Sequence, residues 1–220
     1  MPGDFTTREE IREVYERHAG IYELAVHACN LLGFPIGRYR RLVVEAADLQ
    51  PGDTVVEIGC GTGMNFPLLE RRIGPQGRII GVDQSPAMLE RAEERIRRAG
   101  WKNVELVNSA ADDYSFPDGV DGIIATGVLT YVPDYDGVIG RGAKALAPAG
   151  KWVVFDYKMP VGWMRHLVPV FIWIYRPFGI SRALFERTPI ESLRRHMADV
   201  TVREFYFGLL FIAAGRSSPA

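Results

Sequence analysis

A run of glycines between two acidic residues is the part of this 220-residue sequence with the clearest chemical meaning. Glu57 stands before Gly59, Gly61 and Gly63, so the chain can turn sharply there and a ligand can approach its backbone closely. A second carboxylate, Asp83, ends the next apolar segment, where it could accept hydrogen bonds from ribose hydroxyls. A carboxylate beside the loop would repel a pyrophosphate but suits a cationic ligand. The pattern therefore predicts an adenosine site for a cationic ligand, and disfavours NAD.

Short apolar runs that alternate with amphipathic segments predict the elements that would position these residues around a parallel sheet. The predicted strands are 54–58, 78–82, 104–108, 122–126 and 151–155, followed by a hairpin or bulged pair at 200–207 and 209–214. The clearest helix is Pro86–Ala99, with Ser85 as its N-cap and Gly100 after its end. A last helix is predicted at 189–197.

Two regions lie outside this alternating pattern. Residues 1–50 carry three helix signals, at 7–18, at 22–32 and after Pro35, which we interpret as a helical lid in front of a main domain at 51–216. Residues 158–190 form an inserted cap that combines tryptophans with scattered cations. Such a mixture is typical either of a membrane interface or of a lid that packs on the sheet, and the two readings can coexist.

Composition excludes several classes of function. With 26 Lys and Arg against 27 Asp and Glu, the chain lacks the excess positive charge of a nucleic-acid binder. Cys29 and Cys60 form no Cys-x-x-Cys pair, so the sequence predicts neither a disulfide framework nor a metal site. The apolar run at 167–175 is too short to cross a bilayer, and the N-terminus lacks a signal-peptide pattern. We therefore expect a cytoplasmic protein, with peripheral contact to a membrane as an open alternative.

The same motifs resemble those of a known family. The Glu-x-Gly-x-Gly-x-Gly sequence at 57–63 and the Gly-Val-Asp-x-Ser-x-x-Met-Leu sequence at 81–89 resemble motifs I and II of class I S-adenosylmethionine-dependent methyltransferases. Segments 121–133 and 147–151 are similar to the fourth-strand motif and to the turn before the fifth strand. The resemblance implies a three-layer α/β/α Rossmann-like fold, with a mostly parallel seven-stranded sheet and a C-terminal antiparallel strand. It also implies S-adenosylmethionine as cofactor.

That resemblance assigns cofactor contacts to residues of the matching motifs. They are Glu57, Gly59, Cys60, Gly61, Gly63, Asn65, Asp83, Gln84, Ser85, Met88, Ala110, Ala111, Asp112, Thr126 and Gly127. Cys60 is interpreted as a small loop residue rather than a nucleophile, because no motif supplies it with a base. One position departs from the family, in which an Asp after the third strand usually receives the adenine amino group. Ala110 stands there, so either Asp112, or Ser109 with backbone groups, must take that role.

A narrower resemblance concerns the acceptor of the methyl group. Short segments at 15–22, 33–36, 133–136, 176–179 and 206–208 are similar to bacterial phosphatidylethanolamine N-methyltransferases and to ubiquinone- and menaquinone-biosynthesis methyltransferases. This resemblance implies two tyrosines that close over the cofactor and four residues that contact the acceptor. The tyrosines are Tyr15 and Tyr22, and the acceptor contacts are Lys158, Arg165, Arg176 and Tyr206.

The expected activity is methyl transfer to a lipid or another amphiphilic small molecule, with phosphatidylethanolamine as the first choice. A prenylated quinone precursor and a soluble small molecule are the alternatives, and a non-catalytic S-adenosylmethionine-binding protein is the rival of a different class. No catalytic residue is assigned, because none of the four histidines has a partner supplied by a motif.

Overall fold

The computed structural model of the protein describes Glu13, Glu16 and residues 35–175 and 180–217. The helices predicted at 7–18 and 22–32, together with Tyr15 and Tyr22, lie outside the described residues, and so does Arg176. The assignment of 1–50 as a lid therefore stays a prediction. The third predicted helix is present as α1, Ile36–Ala47, which begins directly after Pro35.

Seven strands form one sheet in the order β3-β2-β1-β4-β5-β7-β6. The strands are β1 Thr54–Ile58, β2 Arg78–Asp83, β3 Val104–Asn108, β4 Val120–Thr126, β5 Leu146–Tyr157, β6 Ala198–Phe205 and β7 Leu210–Arg216. The first five strands pair in parallel, whereas β7 lies antiparallel between β5 and β6. The sheet therefore has the predicted character, and the C-terminal hairpin is confirmed.

Helices cover both faces of the sheet because successive strand residues point to opposite sides. The remaining α-helices are α2 Phe66–Ile73, α3 Pro86–Ala99, α4 Tyr135–Ala145, α5 Val168–Tyr175 and α6 Pro189–His196. Val55 packs in one apolar cluster with residues of α1, α2 and α3, whereas its neighbour Val56 packs in the other cluster with α4 and α6. The result is the expected α/β/α arrangement of three layers.

Strand and helix positions agree with the sequence prediction in the centre of the sheet and differ mainly at strand ends. β1, β3 and α3 have the predicted bounds. β5 begins at Leu146, five residues before its predicted start at Lys151, because Leu146 already pairs with Val120 of β4. The local pattern does not predict this early pairing, because Pro148 and Gly150 are typical of a turn.

The inserted cap consists of short helices. A 3-10 helix at Gly162–Leu167 leads directly into α5, and another at Arg182–Glu186 precedes α6. Val168, Leu184 and Phe185 are buried in a third apolar cluster between the cap and the carboxyl end of β5. No helix within the described part of the chain is long and apolar enough to cross a membrane.

Candidate cofactor and acceptor site

A pocket lies at the carboxyl ends of the strands, where the chain order reverses between β1 and β4. Ligands of open α/β sheets bind in this crevice because the loops that leave β1 and β4 diverge to opposite sides. The pocket is lined by Gly59, Gly61, Val82, Asp83, Gln84, Ser85, Met88, Ser109, Ala110, Ala111, Asp112, Thr126, Gly127, Val128, Tyr131, Val132 and Pro133. Most of the predicted cofactor residues are thus brought together around one cavity.

The glycine loop is shaped by two different requirements. Gly59 has φ +65°, and a Cβ built on it would lie 2.5 Å from a methyl carbon of Val128. The glycine loop can therefore pass under the loop that follows β4 only because residue 59 has no side chain. Gly61 has φ +55° and no heavy atom within 4 Å of a built Cβ, which leaves open space above its backbone. The loop therefore offers a bare main-chain surface to a ligand in the pocket.

Asp83 links the loop to the second strand through both of its carboxylate oxygens. Gly61 N donates to Asp83 Oδ2 at 2.8 Å, and Ser85 N donates to Asp83 Oδ1 at 2.9 Å. Burial raises the pKa of Asp83, while these backbone donors act in the opposite direction. Each oxygen can accept a second hydrogen bond, and Asp83 lines the pocket. The side chain is therefore placed to accept two hydroxyl donors, as the diol of a ribose supplies.

Beneath the loop, a buried polar network joins α1 to β1 and β4. Asn65 Nδ2 donates to Glu57 Oε1 at 2.6 Å and to Thr126 Oγ1 at 3.1 Å, while Arg40 NH1 donates to Asn65 Oδ1 at 3.0 Å. Glu57 and Asn65 are almost fully buried. Within the described residues, Glu57 Oε2 and Arg40 Nε have no hydrogen-bond partner. A buried carboxylate oxygen and a buried guanidinium nitrogen without partners are costly, which favours a ligand that supplies the missing contacts.

The electrostatics of Glu57 favour a cationic group. Burial raises its pKa to about 8, and the positive charge of Arg40 offsets part of this effect. An ammonium group at Glu57 Oε2 would restore the ionised carboxylate by charge pairing. S-adenosylmethionine carries an ammonium group, a carboxylate and an adenosine ribose, so the arrangement of Glu57, Arg40 and Asp83 fits this cofactor.

The other end of the pocket is framed by α3 and by the loop after β3. Ser85 caps α3 by accepting a hydrogen bond from Met88 N, and Met88 itself is buried at the pocket wall. Ser109 and Asp112 line the pocket beside Ala110, so both predicted substitutes for the missing acidic residue are in reach. Arg141 holds the loop in place through a 2.7 Å hydrogen bond to the backbone oxygen of Asp112.

The acceptor side of the pocket is built by a short 3-10 helix, Leu129–Tyr131, which follows β4. Asp156, buried at the end of β5, accepts hydrogen bonds from Thr130 N at 3.1 Å and from Thr130 Oγ1 at 2.8 Å. Arg187 binds the backbone oxygens of Thr130 and Val132 from the cap side, both at 2.7 Å. Burial raises the pKa of Asp156 to about 6. This clamp fixes Tyr131, whose ring lines the pocket.

Of the four predicted acceptor residues, the three that the structure describes do not line this pocket. Lys158 pairs with Glu204 at 2.7 Å, and Arg165 is exposed on the cap. Tyr206 lies in the turn between β6 and β7, where its ring contacts Tyr39 at a centroid distance of 6.4 Å. Their roles in binding an acceptor stay predictions.

Three of the predicted cofactor residues support the loop from below. Asn65 and Glu57 belong to the buried network described above, and Gly63 packs against the ring of Phe66. Cys60 is also buried, and burial raises the pKa of its thiol well above the ordinary value, which agrees with a packing residue rather than a nucleophile.

The sequence interpretation missed Arg40, Tyr131 and Asp156. Arg40 is an arginine on the mainly apolar, buried side of α1, and a charge on the buried face of an amphipathic helix is a signal that could have been noticed. Asp156 likewise follows an unbroken apolar run of β5. Tyr131 carries no comparable signal, because its place at the pocket depends on the 3-10 turn after β4.

Comparisons with known proteins agree with this geometry. A family model described as a methyltransferase domain matches residues 55–150. A demethylmenaquinone methyltransferase of Listeria welshimeri is 28% identical over 177 residues, which cover 76% of this chain and 74% of the relative.

Solved structures share the fold at low sequence identity. A SAM-dependent methyltransferase from Aquifex aeolicus has a TM-score of 0.60 and 19% identity, and covers 81% of this chain and 89% of its own. A geranyl diphosphate C-methyltransferase from Streptomyces coelicolor, solved with S-adenosyl-L-homocysteine, has a TM-score of 0.65 and 16% identity over 82% of this chain and 79% of its own. The domain match, the curated relatives and the shared fold together support a class I S-adenosylmethionine-dependent methyltransferase that resembles demethylmenaquinone methyltransferases.

Proposed function

We propose that this methyltransferase acts on a prenylated quinol precursor and transfers the methyl group to a carbon atom of its ring. The observation that carries the proposal is the wall opposite the cofactor loop. Tyr131 lines the pocket and also belongs to the apolar cluster beneath the cap, together with Tyr157 and Phe185. An acceptor with a flat ring and an apolar tail matches such a wall better than a charged headgroup does.

The names of the relatives favour the same class of acceptor. The matching curated proteins from Listeria and Bacillus are demethylmenaquinone methyltransferases, and a structural neighbour is a geranyl diphosphate C-methyltransferase, whose substrate is itself a prenyl diphosphate. The comparisons do not support the first choice made from the sequence, phosphatidylethanolamine. Of the three cations expected to meet its phosphate, Lys158 already forms an ion pair with Glu204.

Methyl transfer from a sulfonium requires little covalent catalysis by the protein. When bound, S-adenosylmethionine would supply a methyl group on a positively charged sulfur; as the methyl carbon bonds to the ring carbon, the sulfur would depart as a neutral thioether and the ring proton would pass to solvent. The chain's contribution is to hold the two partners in line and to keep water away.

Different residues would position the cofactor and the acceptor. Asp83 and the buried network around Glu57 would fix the two ends of the cofactor and thereby aim its methyl group toward the acceptor wall. Thr130, held by Asp156 and Arg187, would keep the ring of Tyr131 at a constant position against the acceptor. Orientation of this kind is worth several powers of ten in rate when the reacting atoms are held in contact.

The test is a transfer assay with purified protein, methyl-labelled S-adenosylmethionine and two acceptors in detergent micelles. One acceptor is a demethylated naphthoquinol with a short prenyl chain, kept reduced, and the other is phosphatidylethanolamine. Label is expected in the quinone fraction after organic extraction and chromatography. Label in methylated phosphatidylethanolamine, with none in the quinone fraction, would overturn the proposal.

Two variants make the assay specific. Asp83→Ala is expected to remove transfer through loss of cofactor contacts. Asp121→Ala serves as the matched control, because Asp121 also accepts a backbone hydrogen bond, from Thr54 N at 2.8 Å, but lies at the opposite end of the strands. Binding of the cofactor without label in the quinone fraction would refute the choice of acceptor and leave the methyltransferase assignment intact.

A further inference from the structure

The exposed large apolar side chains of the described residues are concentrated on one part of the molecule. They are Val161, Trp163, Leu167, Val170, Trp173 and Phe207, which we call the outer cap face. The first five belong to the cap, and Phe207 joins them from the turn between β6 and β7. Its ring lies 5.6 Å from that of Trp163, and its backbone oxygen accepts a 2.9 Å hydrogen bond from Val161 N. Exposed apolar residues that cluster in this way mark an interaction surface.

The sequence of α5 strengthens this interpretation. Its eight residues, Val-Pro-Val-Phe-Ile-Trp-Ile-Tyr, include no charged side chain. A helix that is apolar on every side is normally buried on every side. Here Val168 and Phe171 face the protein, whereas Val170 is 54% exposed and Trp173 is 76% exposed. Val170 and Trp173 thus form an outward side of α5 that the described residues leave exposed.

The cap segment is rich in basic residues. Between Asp156 and Glu186 the sequence contains no acidic residue, whereas it contains four Lys or Arg residues and one His. Two of these cations form ion pairs, Lys158 with Glu204 and Arg182 with Glu186. Arg165 is exposed beside Trp163 on the same 3-10 helix. Tryptophan next to arginine, with apolar residues around them, is the composition that binds at the headgroup level of a bilayer.

The inner side of the cap leads to the pocket. Ring contacts run from Phe171 to Phe185 at 6.1 Å, from Phe185 to Tyr157 at 5.2 Å and from Tyr157 to Tyr131 at 6.2 Å. Tyr131 lines the pocket. Packed aromatic side chains therefore connect α5, which carries part of the outer cap face, to the wall of the pocket.

We propose that the outer cap face docks on the surface of an anionic lipid bilayer. The proposed acceptor, a prenylated quinol, resides in such a bilayer, and this part of the reasoning rests on the proposed function. The exposed apolar side chains and the exposed Arg165 beside Trp163 support docking independently of the acceptor. A second copy of the chain is the competing occupant, and the test includes it.

The experiment measures co-sedimentation of the whole protein with vesicles that contain neither cofactor nor acceptor. One set is made of equal parts phosphatidylglycerol and phosphatidylcholine, and the other of phosphatidylcholine alone. The test variant is Val170→Ser with Trp173→Ser, and the control is Arg98→Ser, an exposed position on α3 next to the opposite edge of the sheet. Circular dichroism and thermal unfolding verify that both variants fold.

The parent and the control are expected to bind anionic vesicles, with weaker binding to the neutral set. The double variant is expected to bind at least about tenfold more weakly, since it removes two apolar side chains from the contact. The parent's tryptophan emission should shift to shorter wavelength on binding, because Trp152 is already buried and Trp163 and Trp173 are exposed. Equal sedimentation of the parent and the double variant would overturn the proposal.

Two further results would also overturn it. One is sedimentation that does not differ between anionic and neutral vesicles, since it would remove the role of charge. The other is a parent that light scattering finds to be a dimer and the double variant a monomer, since a second copy would then occupy the face. Failure of quinol methylation with normal vesicle binding would instead overturn only the proposed acceptor.

Discussion

Replacement of Asp83 by alanine gives the sharpest test of the cofactor site. Two of the four acceptor positions of this carboxylate are taken by Gly61 N and Ser85 N, which leaves two for ribose hydroxyls. Hydrogen bonds to a charged acceptor contribute about 1.5–3 kcal/mol each, so loss of both should weaken binding by about 3–6 kcal/mol. This corresponds to a dissociation constant that rises roughly a hundredfold to ten-thousandfold.

The assay is isothermal titration of the purified protein with S-adenosylhomocysteine, which carries the same ribose and needs no acceptor. Asp83→Asn provides an intermediate case, because the amide retains one acceptor oxygen but turns its NH2 group toward one of the two backbone donors. We expect its affinity to lie between those of the parent and Asp83→Ala. Asp121→Ala should bind the ligand within about twofold of the parent, since it disturbs only the amino end of β1.

Loss of the two backbone contacts also loosens the glycine loop, so stability must be measured beside affinity. Thermal unfolding without ligand is expected to place Asp83→Ala and Asp121→Ala close together, because each removes a carboxylate that accepts from the backbone. An Asp83→Ala protein that is folded and binds S-adenosylhomocysteine within about threefold of the parent would refute the ribose assignment.

Two further predictions follow from buried carboxyl groups. Because the pKa of Glu57 is raised to about 8, the free protein holds this group mostly protonated near neutral pH, and an ammonium ligand should release its proton. Titrations in two buffers of different ionisation enthalpy should detect this proton in the parent and none in Glu57→Gln; equal proton release by both would contradict the contact. The pKa of Asp156 is raised from 3.8 to about 6, so its carboxyl group ionises less readily in the folded than in the unfolded chain, and stability should fall as pH rises from about 4 to about 6. Urea unfolding should show that the parent's free energy of unfolding, relative to that of Asp156→Asn, decreases by up to about 3 kcal/mol across this range. A difference that grows with pH would contradict the raised pKa of Asp156.

Much of the fold could be predicted from local sequence. The central strands alternate with capped helices, and β1, β3 and α3 have the bounds that the pattern gives them. The glycine loop is equally local, because positive φ values and a nearby strand end are properties of a few consecutive residues. The number of strands and the antiparallel C-terminal strand were implied by the resemblance to a family, whereas the order of the strands was given only by the structure.

The candidate site also contains one part that local sequence predicts and one part that it does not. Asp83 follows its strand in the sequence motif, so its place at the pocket was predictable. The acceptor side was not, since the clamp on Thr130 uses Asp156 and Arg187, which are 26 and 57 residues away along the chain. Local periodicity carries no information about such contacts, because they depend on how the cap packs on the sheet.

By itself, then, the sequence determined the α/β architecture, the glycine loop and the carboxylate for ribose, since each depends on short-range pattern. Only the tertiary structure decided that Arg40 of α1 joins Asn65 beneath the loop, because this pair is separated by 25 residues and meets through helix packing. It also decided which side of α5 is covered. The composition of that helix is uniformly apolar, and only its packing distinguishes the buried Val168 from the exposed Trp173.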